Sequence, residues 1–542
     1  MKPHQSSFRI AILLSAIIFA WVSGPALGAT DVTINWNDVR QTITGFGAST
    51  AWGGGGGGIF GIQESDRPKI MDLLFDSISG IGLTMVRHQQ PYDCLDASGN
   101  WRWDTDLDEV YMCQEAQKRG VRMFWTAPWT PPPMWKQFND PSGQGGPLQR
   151  DHYQDYANYQ SRIIREYKTR FGIDFMGVSV QNEPHFGPTW DGCPYTPEDL
   201  RDYIRDFLGP TLARDNVRAT IIAPESNFFQ PQWADVFMAD PNAAKYVGIV
   251  AFHVYEGAPQ PYPKAAAAGK ELWETETSLM GGVDDSWPLA ITFADQLHHC
   301  LTYEEVNAWH YWWLLSNTRE GLIRKAGNTY VIPKLYYYVG HYTKFIRPGW
   351  KRITCTPPEF QGNNGRCLLS AFKDPASGKF AIVVANIGIG NPGPTINFRL
   401  NGFAPGTVTP IRTIGEDDKN VIMRTEAAIP VTSGAFSFTI ENVSIATILG
   451  QGTPTTIISP PKQREQANFS AAFVDHGLRL HMPGPLAGKA VLAAVDGKII
   501  AEWPVKAMAD QVLPIPGLLK QQLYILRMEF PAETVTCGMV HG

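Results

Sequence analysis

Between residues 43 and 344 the chain alternates short apolar, β-branched runs with longer amphipathic stretches, and this rhythm restricts the fold more than any other feature. The runs are Ile43–Ala48, Leu83–His88, Val121–Thr126, Phe175–Val180, Ala219–Ala223, Val247–His253, Leu272–Thr275 and Ala308–Trp313. Helical patterns lie between them, for example at Tyr153–Tyr167, Pro197–Leu208 and Trp287–Thr302. Eight strands, each followed by a crossover, predict an α/β fold of the (β/α)8 TIM-barrel type over residues 46–344. A doubly wound sheet is the alternative, but no βα turn carries a dinucleotide fingerprint. The glycine run Gly53–Gly58 lacks the spacing of a phosphate loop and reads as a flexible loop without a ligand.

The flanks read differently. After residue 345 short alternating runs such as Cys367–Phe372, Phe380–Ala385, Thr395–Leu400 and Ala435–Ile440 are separated by Gly, Pro and Asn, an all-β signature. Asp31–Trp36 is also strand-like, so a side β-sandwich is expected from residues 30–45 plus 345–450. A Pro/Thr-rich linker, 451–467, then leads to a small C-terminal β-sandwich module at 468–542. At the other end, Lys2 and Arg9 precede an apolar stretch and the small-residue segment Ser23–Ala29. Residues 1–29 are therefore expected to be a cleaved signal peptide, making the protein secreted, extracellular or periplasmic. No later run is apolar enough for a membrane span. Of the seven cysteines, Cys355 and Cys367 flank the turn-rich Gly362–Gly365 and are expected to form a disulfide.

Lys plus Arg is 46 and Asp plus Glu is 52, a mild acidity that argues against nucleic-acid binding. With 44% hydrophobic and 18% charged residues the chain can bury a large core. Barrel enzymes carry their chemistry at the C-terminal ends of strands, so the polar residues that end the apolar runs matter most. Glu183 ends the fourth run and Glu276 the seventh, roughly opposite across a barrel mouth. Two such carboxylates suggest the acid and nucleophile of a glycosidase. Glu274 competes for the nucleophile role, but in a strand it shares the face of Glu276 while lying deeper. His253 and His298-His299 lack a carboxylate or cysteine set at ligand spacing, so no metal site is expected.

Thr44–Gly47, Phe124–Pro132, Val178–Pro184, Leu272–Glu276 and Phe345–Gly349, in that order, resemble glycoside hydrolase family 30. The resemblance implies a (β/α)8 barrel with an attached β-sandwich and retaining hydrolysis of β-glycosides without a cofactor. It assigns the acid/base to Glu183 and the nucleophile to Glu276, and gives Asn182 the sugar 2-hydroxyl. Arg87 is placed to fix Glu276 as a carboxylate, Tyr255 to donate its hydroxyl to the nucleophile, and His253 to line the cleft with Arg87 as substrate-site residues. Trp129, Trp312 and Trp313 are candidates for stacking on sugar rings, although one of the adjacent pair Trp312 and Trp313 is expected to face away.

Within the family the chain looks most like the xylanase and endo-β-1,6-galactanase branch, so a hemicellulose such as xylan is the expected substrate. Glucuronoxylan-specific members carry a paired-arginine loop after the last barrel strand. Here that loop is Leu314–Glu320, with one displaced arginine, Arg319, beside an acid, Glu320. β-1,6-Galactanase, β-1,6-glucanase or glucosylceramidase-like activity, and a non-catalytic polysaccharide-binding protein, are the alternatives. The expected partner is a polysaccharide or oligosaccharide bound by a monomer.

Overall fold

A computed structural model describes residues 29–454, apart from 55–57, 257–258, 363–364, 389–392, 416–418 and 420, and a set of strands between residues 470 and 541. Residues 1–28 of the expected leader and 455–467 of the expected linker lie outside the described residues. The chain divides into two compact units, residues 1–455 and 456–542.

In the first unit, strand β1 (Thr30–Thr42) precedes eight parallel strands: β2 (Gly45–Ser49), β3 (Met85–Gln90), β4 (Met123–Pro128), β5 (Phe175–Ser179), β6 (Thr220–Phe228), β7 (Val247–Glu256), β8 (Glu271–Glu276) and β9 (Ala308–Ser316). Each pairs with the next, and β9 pairs with both β8 and β2, which closes the barrel. The strands are buried almost end to end, because a parallel barrel strand is covered by helices outside and by packed side chains inside. Met85, Trp125, Ile222, Ala251 and Trp273 fill the interior. Trp125 and Trp273 alone each bury about 150–250 Å² and meet edge to face at 6.1 Å. The barrel sheet is extended past β9 by β10 (Gly321–Ala326) and β11 (Thr329–Val331).

The side domain is a single continuous sheet of eleven strands that folds around its own core, where Val32, Ile34, Trp36, Phe380 and Phe398 meet. Strands β12 (Lys351–Thr356), β13 (Glu359–Gly362), β14 (Gly365–Lys373), β15 (Lys379–Asn386) and β16 (Thr395–Asn401) belong to it, together with β1 and later strands such as Thr407–Ile414 and Ser444–Gln451. β1 is an interior strand, third from one edge, antiparallel to β12 and parallel to β16. The Cys355–Cys367 disulfide does not form: both are buried free thiols. The hairpin around 363–364 joins β13 to β14, not β12 to β14. The β12–β14 register sets Ile353 opposite Ala371, two residues out of step with that bond. Burial pushes both thiols up to about 12.

The second unit contains, among the described residues, a three-stranded antiparallel sheet (Ser470–Val474, Gly477–His481, Gln511–Pro514) and a four-stranded one (Gly488–Ala494, Ile499–Val505, Gln522–Glu529, Thr534–His541). Among the described residues no helix is long and apolar enough to cross a membrane.

The glycine run earns its composition at its described ends. Gly53 and Gly58 have φ of +65° and +60°, and a Cβ on Gly53 would sit 1.7 Å from an Asp108 carboxylate oxygen. Barrel and side sheet are joined by helix Lys334–Thr343, whose buried His341 is held between the hydroxyls of Thr413 (2.9 Å) and Thr447 (3.0 Å). Burial lowers the His341 imidazole from 6.5 to about 3. The unfolded chain therefore takes up this proton first, and the associated stability, complete above 6.5, is lost as pH falls toward 3. Denaturant titrations across that window are expected to show this loss, and His341→Gln is expected to flatten the slope and to cost about 1–3 kcal/mol at neutral pH.

Candidate active site

Three backbone hydrogen bonds fix the turn that follows β5: Val180 N–H to Ile222 O (3.1 Å), Asn182 N–H to Pro128 O (2.8 Å) and Glu183 N–H to Glu225 O (3.0 Å). Glu183 and Glu225 both hold positive φ, +45° and +56°, a conformation that side chains avoid unless their surroundings impose it. Glu276 is the last residue of β8, and its N–H donates to the Glu274 carboxyl at 3.0 Å. The other Glu274 oxygen accepts the His310 N–H at 3.1 Å. Burial pushes the Glu274 carboxyl well above the usual range, and its two oxygens fasten the backbone of Glu276 and His310 below the site.

A fully buried guanidinium, Arg87 within β3, organises the rest. It donates through Nη1 to Glu276 and through Nη2 to Asn182 Oδ1 at 2.5 Å and to Glu225 at 3.1 Å, with the Trp129 ring 4.7 Å away. Tyr255 donates its hydroxyl to the other Glu276 oxygen at 2.8 Å. His253 sets Nδ1 3.2 Å from Glu183 and Nε2 3.6 Å from Glu225. Burial opposes ionisation of Glu225, but Arg87 and His253 overcome it and hold the carboxyl at about 2. Burial likewise opposes the His253 charge, yet Glu276, Glu183 and Glu225 together raise it from 6.5 to about 10. Glu276 is pushed up by burial and by Glu183, while Arg87 and His253 pull the other way.

Above this network opens a cleft of about 640 Å³, lined by Glu183, Glu276, Asn182 and Tyr255 and walled by Trp129, Trp312 and Trp313. Both indoles of the adjacent pair face it, stacked at 4.7 Å, against the expectation that one would turn away. The cause is an irregularity in β9: Ala48 pairs with Tyr311 and Ser49 with Trp313, so Trp312 is an extra residue that resets the alternation. Arg87 and His253 are not part of the wall; both are fully buried beneath the floor, where they touch the carboxylates rather than a ligand. Trp52 had no signal in the sequence, since it follows a short strand and sits in a turn with φ of +52°, yet it lies 5.2 Å from Trp129 and also lines the cleft. Phe186, Trp190, Asn227, Met280 and Glu320 complete the lining. Glu225 was also missed, because a carboxylate inside a strand is silent until its partners are known.

One donor atom each from Glu183, His253 and Glu276 lies within 4.8 Å of the others, the spacing of a metal triad. Its chemistry runs against a cation: His253 is charged and so has no free lone pair, and the Arg87 guanidinium already matches Glu276.

A closed parallel barrel with a carboxylate pair in an aromatic cleft at its C-terminal mouth is the architecture of an O-glycosyl hydrolase. Residues 98–274 match the model of the glycosyl hydrolase family 30 TIM-barrel domain. The glucuronoxylanase XynC of Bacillus subtilis is 28% identical over 422 residues, covering 74% of this chain and 90% of that one. The mouse lysosomal acid glucosylceramidase is 27% identical over 288 residues, 46% of this chain and 54% of that one. Among solved structures, the family 30 subfamily 8 xylanase Xyn30A of Clostridium acetobutylicum superposes with a TM-score of 0.67 at 28% identity, over 78% of this chain and 99% of that one. Residues 98–274 thus carry a domain of the glycosyl hydrolase family 30 TIM-barrel type, and the chain around them is similar to family 30 xylanases.

Because the folded His253 is raised above its unfolded value of 6.5, its ion pairs stabilise the fold fully below 6.5 and are lost as pH rises through about 10. Thermal denaturation across that alkaline window is expected to show a decline that is shallower in His253→Gln.

Proposed function

We propose that the protein is a retaining endo-β-glycosidase acting on hemicellulose, xylan first, with Glu183 as acid/base and Glu276 as nucleophile. One observation carries the reading: a carboxyl oxygen of Glu183 lies within 4.8 Å of one of Glu276. Retaining enzymes hold their carboxyls about 5–5.5 Å apart, whereas an inverting pair stands about 6.5–9.5 Å apart to admit a water.

In the first step the Glu183 proton passes to the glycosidic oxygen as the C1–O bond breaks, and the Glu276 carboxylate bonds C1 to give a glycosyl ester. Arg87 and Tyr255 favour the anionic Glu276 that must attack. The ester removes the charge of Glu276, so Glu183 loses a like-charged neighbour and becomes more acidic. In the second step Glu183 takes a proton from water, the hydroxyl bonds C1, and the ester bond breaks to return Glu276 as a carboxylate. His253, with Nδ1 3.2 Å from the Glu183 carboxyl, holds that side chain in place through both steps. Asn182 Oδ1 is occupied by Arg87, which leaves its NH2 to donate to the sugar 2-hydroxyl, a contact that strengthens in the transition state.

The xylan assignment is supported by the two 28%-identical relatives whose names are xylanases. A glycolipid is the second reading, supported by the glucosylceramidase relative and by an apolar rim in which Trp190 is 53% and Met280 64% exposed. The leader pattern at residues 1–29 supports export.

Reducing-sugar release from glucuronoxylan, arabinoxylan, β-1,6-glucan and β-1,6-galactan is expected to single out a xylan, with retained anomeric configuration in the first product by NMR. Glu183→Gln is expected to lower kcat by roughly 10²–10⁴-fold, and Glu276→Gln by more, since no ester then forms. Inverted product, or full activity in Glu276→Gln, would sink the assignment.

A further inference from the structure

The charge of the cleft goes beyond what a hydrolase of this class requires. The ionisable acids on its lining are Glu183, Glu276 and Glu320, and among the described residues no lysine, arginine or histidine lines it. The two cations beneath the floor, Arg87 and His253, are fully buried and already spent on Glu183, Glu225 and Glu276. With Glu183 carrying the proton it gives in the first step, three carboxylates, Glu225, Glu276 and Glu320, face two cations, and the unanswered one, Glu320, lies on the side open to a ligand.

Glu320 is the carboxylate that catalysis leaves unused, and it is held in place. Its carbonyl accepts the Trp313 N–H at 3.2 Å and its Oε2 accepts the Thr318 hydroxyl at 2.9 Å, which sets it beside the indole platform. The neighbouring arginines do not answer it. Arg319 donates through Nη2 to Met280 O at 2.9 Å, and Arg324 through Nη1 to Val283 O at 2.6 Å. Another acid, Asp191, stands close to Trp52 of the same lining. A carboxylate ligand entering here would lose hydration, gain no counterion, and meet like charge in a partly desolvated cleft. A neutral sugar would instead give a hydroxyl hydrogen to Glu320 and its apolar face to Trp312 and Trp313.

Resting on the glycosidase reading above, we propose that the cleft selects uncharged β-glycan chains and rejects uronate-bearing ones, with Glu320 as the specificity-determining residue. The discrimination works by repulsion of the wrong ligand, which needs no extra contact with the right one.

The test uses a linear neutral xylo-oligosaccharide and the same oligosaccharide bearing one glucuronic acid branch. Binding of each is followed by tryptophan fluorescence in the full chain carrying Glu276→Gln, and turnover of each is followed in the wild type. The neutral ligand is expected to bind about tenfold more tightly, with the gap narrowing in added salt as exposed charges are screened. Adding Glu320→Gln is expected to bring the two affinities within about two- to threefold of one another. Equal or tighter binding of the acidic ligand, no binding of the neutral one, or a gap unmoved by Glu320→Gln overturns the proposal. A binding gap without turnover of either ligand would sink the hydrolase reading and leave the selectivity standing. Turnover of both without a gap would do the reverse.

Discussion

The whole active end of the barrel hangs on one buried guanidinium. Arg87 has no exposed surface, and its two terminal nitrogens reach a nucleophile candidate on β8, an amide after β5 and a carboxylate in β6. A charge this deep is costly to desolvate unless every neighbour answers it. The answer here comes from three strands distant in sequence, so the pair is satisfied only when the barrel is closed. Closure and active-site assembly are thereby the same event. The fork geometry of arginine is what permits this, since a lysine ammonium in its place could not hold Glu276 and Asn182 from two fixed nitrogens.

What the sequence could reveal follows from which signals are local. The barrel was legible because buried parallel strands read as short apolar runs, and the observed strands start within two residues of those runs. Glu183 and Glu276 stood out because they end such runs, and the order of family motifs added their proposed roles. Glu225 sits within its strand rather than at its end, so nothing local marked it. The paired orientation of Trp312 and Trp313 depends on a register shift against β2, a property of two strands that neither contains alone. Likewise the Cys355–Cys367 pairing failed on strand register, which the turn-rich sequence between them did not encode.

The site also shows how roles divide between a floor and a surface. Groups beneath the cleft, Arg87, His253 and Glu225, are fully buried and bind one another, so they hold Glu183 and Glu276 in position from below. Groups on the surface, the indoles, Asn182, Tyr255 and Glu320, line the open cleft. Substrate choice can therefore drift through the lining while the reaction machinery stays constant. That separation is in keeping with relatives whose names span a xylanase and a glucosylceramidase.

Strand β1 carries a last consequence. It pairs with Lys351–Thr356 and with Thr395–Asn401, so its partners lie more than 300 residues further along the chain. During synthesis, at roughly 5–20 residues per second, β1 waits tens of seconds as a bare edge before either partner exists. Contacts of such long range also carry a large loop-closure entropy and slow the search. The alternating pattern of β1, with Asp31, Asn35 and Asn37 between Val32, Ile34 and Trp36, keeps half of that edge polar while it is unpaired. The barrel is thus threaded between one strand and the rest of its sheet, and the first of the described strands becomes one of the last to find its place.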